Sequence, residues 1–189
     1  MNLFRIFKPS GESLAVSMAG IKLGDRLLVL GCSDPVRIAQ LAVKTGLTGR
    51  ACAADAAGAL AARAADVATK EGALIETLTA PWGALPLAPM SFDVAVIQDV
   101  LPRVDAAQRV ACVRDVHRVL RPGGRCLVID SAARGGIGGL VRGQAPDPDP
   151  GYTASGGAVA ALESGGFRAA RALAERQGLV FSEGIKGNL

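Results

Sequence analysis

Apolar and polar positions change period repeatedly along this chain, and the changes mark its elements. Leu27–Gly31 (LLVLG) is an unbroken apolar run, as expected for a strand covered on both faces. Asp34 and Pro35 then open a helical pattern that runs to about Lys44, with Asp34 as N-cap and Pro35 as first helical residue. Gly46 and Gly49 close it. Gly49–Ala54 reads as a second strand, and an Ala-rich stretch from Asp55 to about Lys70 as a second helix. Ala73–Leu78 is the expected third strand, and Pro81–Pro89 is irregular. Phe92–Gln98 (FDVAVIQ) is a fourth strand. Ala106–Leu120 is a helix stopped by Arg121-Pro122-Gly123-Gly124, and Arg125–Ile129 is a fifth strand. Ser131–Gly157 is a long Gly/Pro-rich stretch, followed by a short helix over Thr153–Leu162. Phe167–Leu173 and Leu179–Lys186 flank Glu175–Gly178 as a hairpin. Strands alternating with helices predict a parallel α/β sheet, which a terminal hairpin makes mixed.

Composition narrows the chemistry. Half of the 189 residues are apolar, which excludes a disordered chain, yet only 4% are aromatic. There is one His (His117), one Trp (Trp82) and one Tyr (Tyr152). A His-rich metal centre, a hydrolytic triad and an aromatic base-stacking surface are all hard to build from that set. The net charge of +4 is mild and scattered, so no nucleic-acid surface is expected. Arg114, Arg118, Arg121 and Arg125 read as a solvated face, and His117 as surface polarity. The four cysteines form no CxxC pair, which favours reduced thiols and a cytoplasmic location. No apolar run reaches membrane-spanning length, and the first nine residues are too short and charged for a signal peptide.

Three stretches resemble class I S-adenosylmethionine-dependent methyltransferases of the small methyltransferase type 11-like kind. Leu27-Leu28-Val29-Leu30-Gly31-Cys32-Ser33, with Ile38–Ala42 after it, is similar to the family's first strand, glycine loop and helix. Leu85-Pro86 followed by Ser91–Ile97 is similar to its fourth-strand motif. His117–Arg125 (HRVLRPGGR) is similar to its turn into strand five. The resemblance runs from about Leu23 to Lys186. It implies a Rossmann-like, doubly wound, mostly parallel seven-stranded sheet ending in an antiparallel hairpin. It also implies one methyltransferase-like domain over 1–189, with an N-terminal helical or cap segment at 1–22 and the 131–157 loop over the substrate site. The implied cofactor is S-adenosylmethionine, the implied partner a small-molecule acceptor, and no metal is required.

The resemblance places cofactor contacts at Gly31, Cys32, Ser33, Asp55, Ala56, Trp82, Gln98 and Asp99. Glycine at 31 lets backbone approach a ligand. The family's further loop glycines are Ser33 and Pro35 here, its acidic strand position is Val29, and its adenine-binding acid is Pro81. The N-terminus of the following helix is suited to the cofactor's carboxylate. Asp55, about 24 residues beyond Gly31, is spaced to accept ribose hydroxyls or to cap the next helix. Trp82 can stack on adenine or sit at the core edge. Gln98 and Asp99 end the fourth strand, where open α/β sheets bind ligands. Cys32, without a base nearby in sequence, is a weak nucleophile candidate. Three function classes follow: a small-molecule methyltransferase, a non-catalytic binding or partner protein on the same scaffold, and, less favoured, a nucleotide-dependent oxidoreductase.

Overall fold

A computed structural model of the chain describes residues 13–132 and 149–188. A short helix α1 (Leu14–Ala19) leads into β1 (Arg26–Leu30), α2 (Pro35–Thr45), β2 (Arg50–Asp55), α3 (Gly58–Lys70), β3 (Glu76–Thr79) and β4 (Phe92–Gln98). A single 3-10 turn at Leu101–Arg103 precedes α4 (Ala106–Val119) and β5 (Leu120–Ser131). After residue 148 come α5 (Pro150–Ala154), α6 (Gly157–Ser164), β6 (Arg168–Arg176) and β7 (Leu179–Ile185). The seven strands form one sheet in the order β3-β2-β1-β4-β5-β7-β6. β1 to β5 pair in parallel, and β7 joins β5 and β6 antiparallel. The expected Rossmann-like mixed sheet is the one found.

Burial on both faces explains the unbroken apolar strands. Leu28, Leu30, Ala95, Ile97 and Val128 face one core layer, with Cys112, Val113 and Val116 of α4 and Leu162 of α6. Leu27, Val29, Val94, Val96 and Leu127 face the other, under Ile38 and Leu41 of α2 and Ala61 and Ala64 of α3. Alternate residues of each strand thus serve opposite layers.

Several boundaries differ from the sequence expectation. β3 lies at Glu76–Thr79 rather than Ala73–Leu78, because the Ala73 N–H is taken by the Ala68 carbonyl at the end of α3. The helix expected at Thr153–Leu162 is two helices, divided where Gly156 and Gly157 adopt positive φ. Arg121–Gly124 is an irregular opening of β5 rather than a free turn: Leu120 pairs with Phe92, and Gly123 and Gly124 exchange backbone hydrogen bonds with Lys186. The terminal hairpin turns on Gln177-Gly178, both at positive φ, and its strands reach three residues beyond the expected end of the first. Of the loop expected over 131–157, residues 133–148 lie outside the described residues, as do 1–12 of the N-terminal segment.

The arginines read as a solvated face are staples instead, Arg114 apart. Arg118 pairs with Asp115 and donates to the Leu85 and Leu87 carbonyls. Arg121 joins Arg26 on Asp93, whose carboxyl they hold far below the usual carboxylate range. Arg125 donates to Glu183 and to the Ala19 carbonyl, tying β5 to β7 and α1. His117 is half-buried against the Phe167 ring, edge-on at 5.0 Å, rather than simply solvated. Among the described residues, no helix is long and apolar enough to cross a membrane.

Gly165, at the end of α6, touches α4 so closely that a Cβ there would collide with Val113 Cγ1. Its φ of −81° is open to any residue, so the collision alone sets the cost. Gly165→Ala should therefore lower unfolding stability by about 1–3 kcal/mol in urea titration. Adding Val113→Ala should return part of that loss, beyond the sum of the two single changes.

Candidate functional site

The site begins where β1 ends. Gly31 has φ +86°, and its N–H donates to the Ala54 carbonyl of β2. A Cβ on Gly31 would strike the Gln98 carbonyl and lie 2.8 Å from Val100 Cγ2. Glycine is thus required twice over, for the left-handed backbone and for close approach to the end of β4. The Gln98 side chain reaches back, its Nε2 donating to the Gly31 carbonyl at 3.2 Å.

One residue on, the Cys32 N–H donates to Asp55 Oδ2 at 2.6 Å, while Asp55 Oδ1 accepts from the Ala57 N–H at 2.8 Å. Asp55 closes β2 at 6% exposure. Its carboxylate therefore fixes both the loop after β1 and the entry to α3, and each oxygen keeps a further lone pair for a ligand hydroxyl. It does not cap α3 as expected; Ala57 occupies the N-cap position, with no side-chain cap bond. The Cys32 thiol is buried, and burial with Asp55 nearby pushes it up to about 12. It stays protonated at neutral pH, which removes it as a nucleophile.

At the start of α2, Asp34 accepts the Arg37 N–H as an N-cap, and Pro35 is the first helical residue, both as expected. Arg37 adds what the sequence reading missed. Its guanidinium pairs with Asp34 at 3.0 Å and donates to Gln98 Oε1 at 3.0 Å. The helix N-terminus already carries the Asp34 carboxylate, and Arg37, outside the cleft lining, reaches the cleft through Gln98.

Gly31, Cys32, Ser33, Asp55, Trp82, Gln98 and Asp99 line one cleft at the carboxyl ends of β1, β2 and β4. Ala56 is exposed and lies outside the lining. Trp82 packs on the edge of the core, one of its two expected roles, and also lines the cleft. Asp99, at φ +50°, ties strand ends together, its N–H donating to the Ile129 carbonyl and its Oδ1 accepting from the Ser131 N–H at 2.6 Å. The sequence reading missed Leu60, Val100, Arg103 and Val104, which complete the lining. Arg103 followed the fourth strand in sequence, and that position was the available signal.

The ligand features implied for this fold have a matching acceptor and walls here: a glycine cradle that a Cβ would fill, a carboxylate with free lone pairs, and apolar walls from Leu60 and Trp82. Ser33 and Pro35 stand where further glycines were expected, yet the turn forms and α2 starts on schedule.

Gly31→Ala tests the cradle. The collision costs about 1–3 kcal/mol and the left-handed backbone about 1–2 kcal/mol more. Urea unfolding should show a loss of that combined order, and Gln98→Ala should relieve little of it because the collision is with the Gln98 main chain.

A sequence profile of the family described as "Methyltransferase domain" matches residues 28–128. The structure is similar to a SAM-dependent methyltransferase from Aquifex aeolicus, with TM-score 0.71 and 18% identity over 90% of this chain and 87% of that one. It is similar to a Methanosarcina mazei SAM-dependent methyltransferase, with TM-score 0.59 and 18% identity over 89% and 95%. It is also similar to the [4+2]-cyclase SpnF, with TM-score 0.63 and 16% identity over 92% and 78%. These likenesses concern the fold. With the profile spanning more than half the chain, β1 through the centre of β5, this chain belongs to the methyltransferase-domain family of class I S-adenosylmethionine-dependent methyltransferases.

Proposed function

We propose that the chain, as one methyltransferase-like unit over 1–189, binds S-adenosylmethionine in the cleft and methylates a small-molecule acceptor. The observation that carries this reading is the convergence of the Gly31 cradle and the Asp55 carboxylate on one cleft. When bound, the cofactor supplies a methyl group made electrophilic by its sulfonium. Asp55 would accept the ribose hydroxyls, Trp82 and Leu60 would enclose the adenine, and Gln98, held by Arg37, would face the carboxylate. The Gly31–Ser33 backbone would cradle the part of the cofactor between them. Such a site works mainly by positioning, which lowers barriers by several kcal/mol without a metal or covalent nucleophile. The four buried, unpaired thiols support a reducing, cytoplasmic setting, and the scattered charge supports a small-molecule rather than nucleic-acid partner.

A second reading is a non-catalytic binding or partner protein. Ser33 and Pro35 in the glycine loop, and Pro81 in place of an adenine-binding acid, favour it. The fold alone does not choose, since SpnF, a protein of similar fold, is a [4+2]-cyclase.

Titration calorimetry separates the readings. S-adenosylmethionine and S-adenosylhomocysteine should both bind, and Asp55→Ala should weaken each at least tenfold, about 1.4 kcal/mol. Because Asp55 also holds the loop, Trp82→Ala serves as a second variant and should weaken binding with the fold intact by circular dichroism. No heat with either ligand at millimolar concentration would contradict the proposal. Full affinity in both variants would move the cofactor out of this cleft.

A further inference from the structure

Beside the cleft, at the end of β5, lies a carboxyl group that the roles above leave unused. Asp130 is 6% exposed. Its Oδ2 accepts from the Tyr152 hydroxyl at 2.6 Å, and its Oδ1 is the buried side-chain polar atom with no hydrogen-bond partner among the described residues. Leaving a buried acceptor unpaired costs about 1–3 kcal/mol, so a purely structural carboxyl here would be a poor choice.

One hydrogen bond orients this carboxyl, and charged groups on neighbouring elements act on it. Tyr152 stands on α5, with the Arg109 guanidinium 4.7 Å above its ring centroid. Arg109, from α4, donates to the Leu101 and Val104 carbonyls and pairs with Asp149, the N-cap of α5. On the cleft side stand Asp99, from the end of β4, and Arg103; both line the cleft, and the charges of both act on Asp130. Burial pushes the Asp130 carboxyl up to about 7, with Asp99 adding to the rise. The Tyr152 hydrogen bond, Arg103 and Arg109 oppose it. The Tyr152 hydroxyl is itself pushed well above its ordinary range by burial and by Asp130, so it stays a donor throughout. The group that exchanges a proton near neutrality is therefore Asp130.

We propose that Asp130, oriented by Tyr152, takes the proton from the methyl acceptor, which makes that acceptor one that must lose a proton, an O–H or N–H compound, rather than a thioether or a tertiary amine. The inference rests on the methyl-transfer reading. Asp130 is not among the cleft-lining residues and its Oδ1 is buried, so a bridging water links the acceptor O–H or N–H to Oδ1. As the acceptor's lone pair forms its bond to the methyl carbon, the carbon–sulfur bond breaks with its electron pair going to sulfur, which becomes a neutral thioether. The displaced proton passes through that water to Asp130 Oδ1 and then to solvent.

Tyr152 is the one tyrosine in the chain, so labelling with tyrosine carrying carbon-13 at Cζ gives a single NMR reporter of this pair. In the free protein its resonance should titrate with a midpoint near 7, and Asp130→Asn should flatten the curve. If Asp130 faces the reacting centre, the sulfonium of S-adenosylmethionine should lower the midpoint by about one pH unit relative to S-adenosylhomocysteine, whose sulfur is uncharged. A group that merely holds α5 in place would not distinguish the two ligands. Equal midpoints with both bound would overturn the proposal and leave the cofactor reading standing. Absence of titration between pH 5 and 9 would overturn it as well. Calorimetry showing that neither ligand binds would overturn both together.

Discussion

The contact between Gly31 and the Gln98 carbonyl leaves no room for a Cβ, and the whole cleft is arranged around it. β1 and β4 are neighbours in the sheet, and this contact brings the chain leaving β1 across the end of β4. From there the Cys32 N–H meets Asp55 at the end of β2, and Gln98 meets Arg37 on α2. Three strand ends and one helix are thereby tied into one small polar assembly. Removing glycine at 31 would disturb every one of these links, whereas Ser33 and Pro35 sit in a turn that accepts them.

Around that contact, polar groups are few and tightly held. Asp55 and Asp99 accept backbone N–H groups, Arg37 spans Asp34 and Gln98, and Arg109 bridges carbonyls and Asp149. Groups immobilised in this way suit chemistry by positioning, where misplacement is costly and special side chains are not needed. The scarcity of His, Tyr and Trp in the composition therefore fits the family. It also isolates the Asp130–Tyr152 pair, a hydrogen bond between residues 22 positions apart on β5 and α5.

Much of the fold was legible because buried parallel strands write unbroken apolar runs. β1, β4 and the parallel body of β5 were read from such runs, and the terminal hairpin from its Gly-containing turn. β3 was misplaced because Glu76–Thr79 is largely exposed and carries no apolar signal. The helix after the long loop was read as continuous because its interruption depends on two glycines at positive φ. Within the site, Gly31, Asp55, Gln98 and Asp99 were visible as residues at strand ends. Arg37, which reaches Gln98, and Arg103, which lines the cleft, were not, because nothing local distinguishes such arginines from ones that face water. The same limit hid the staples at Arg118, Arg121 and Arg125, whose partners lie on other elements.

The central claim is that the Gly31–Asp55 assembly is a working cofactor cradle despite its altered loop. A crystal structure grown with S-adenosylhomocysteine tests it most directly. The account predicts the ribose hydroxyls on the Asp55 carboxylate, the adenine against Trp82 and Leu60, and the Gly31–Ser33 backbone unmoved. Ligand density elsewhere, or an empty cleft at saturating ligand, would contradict it.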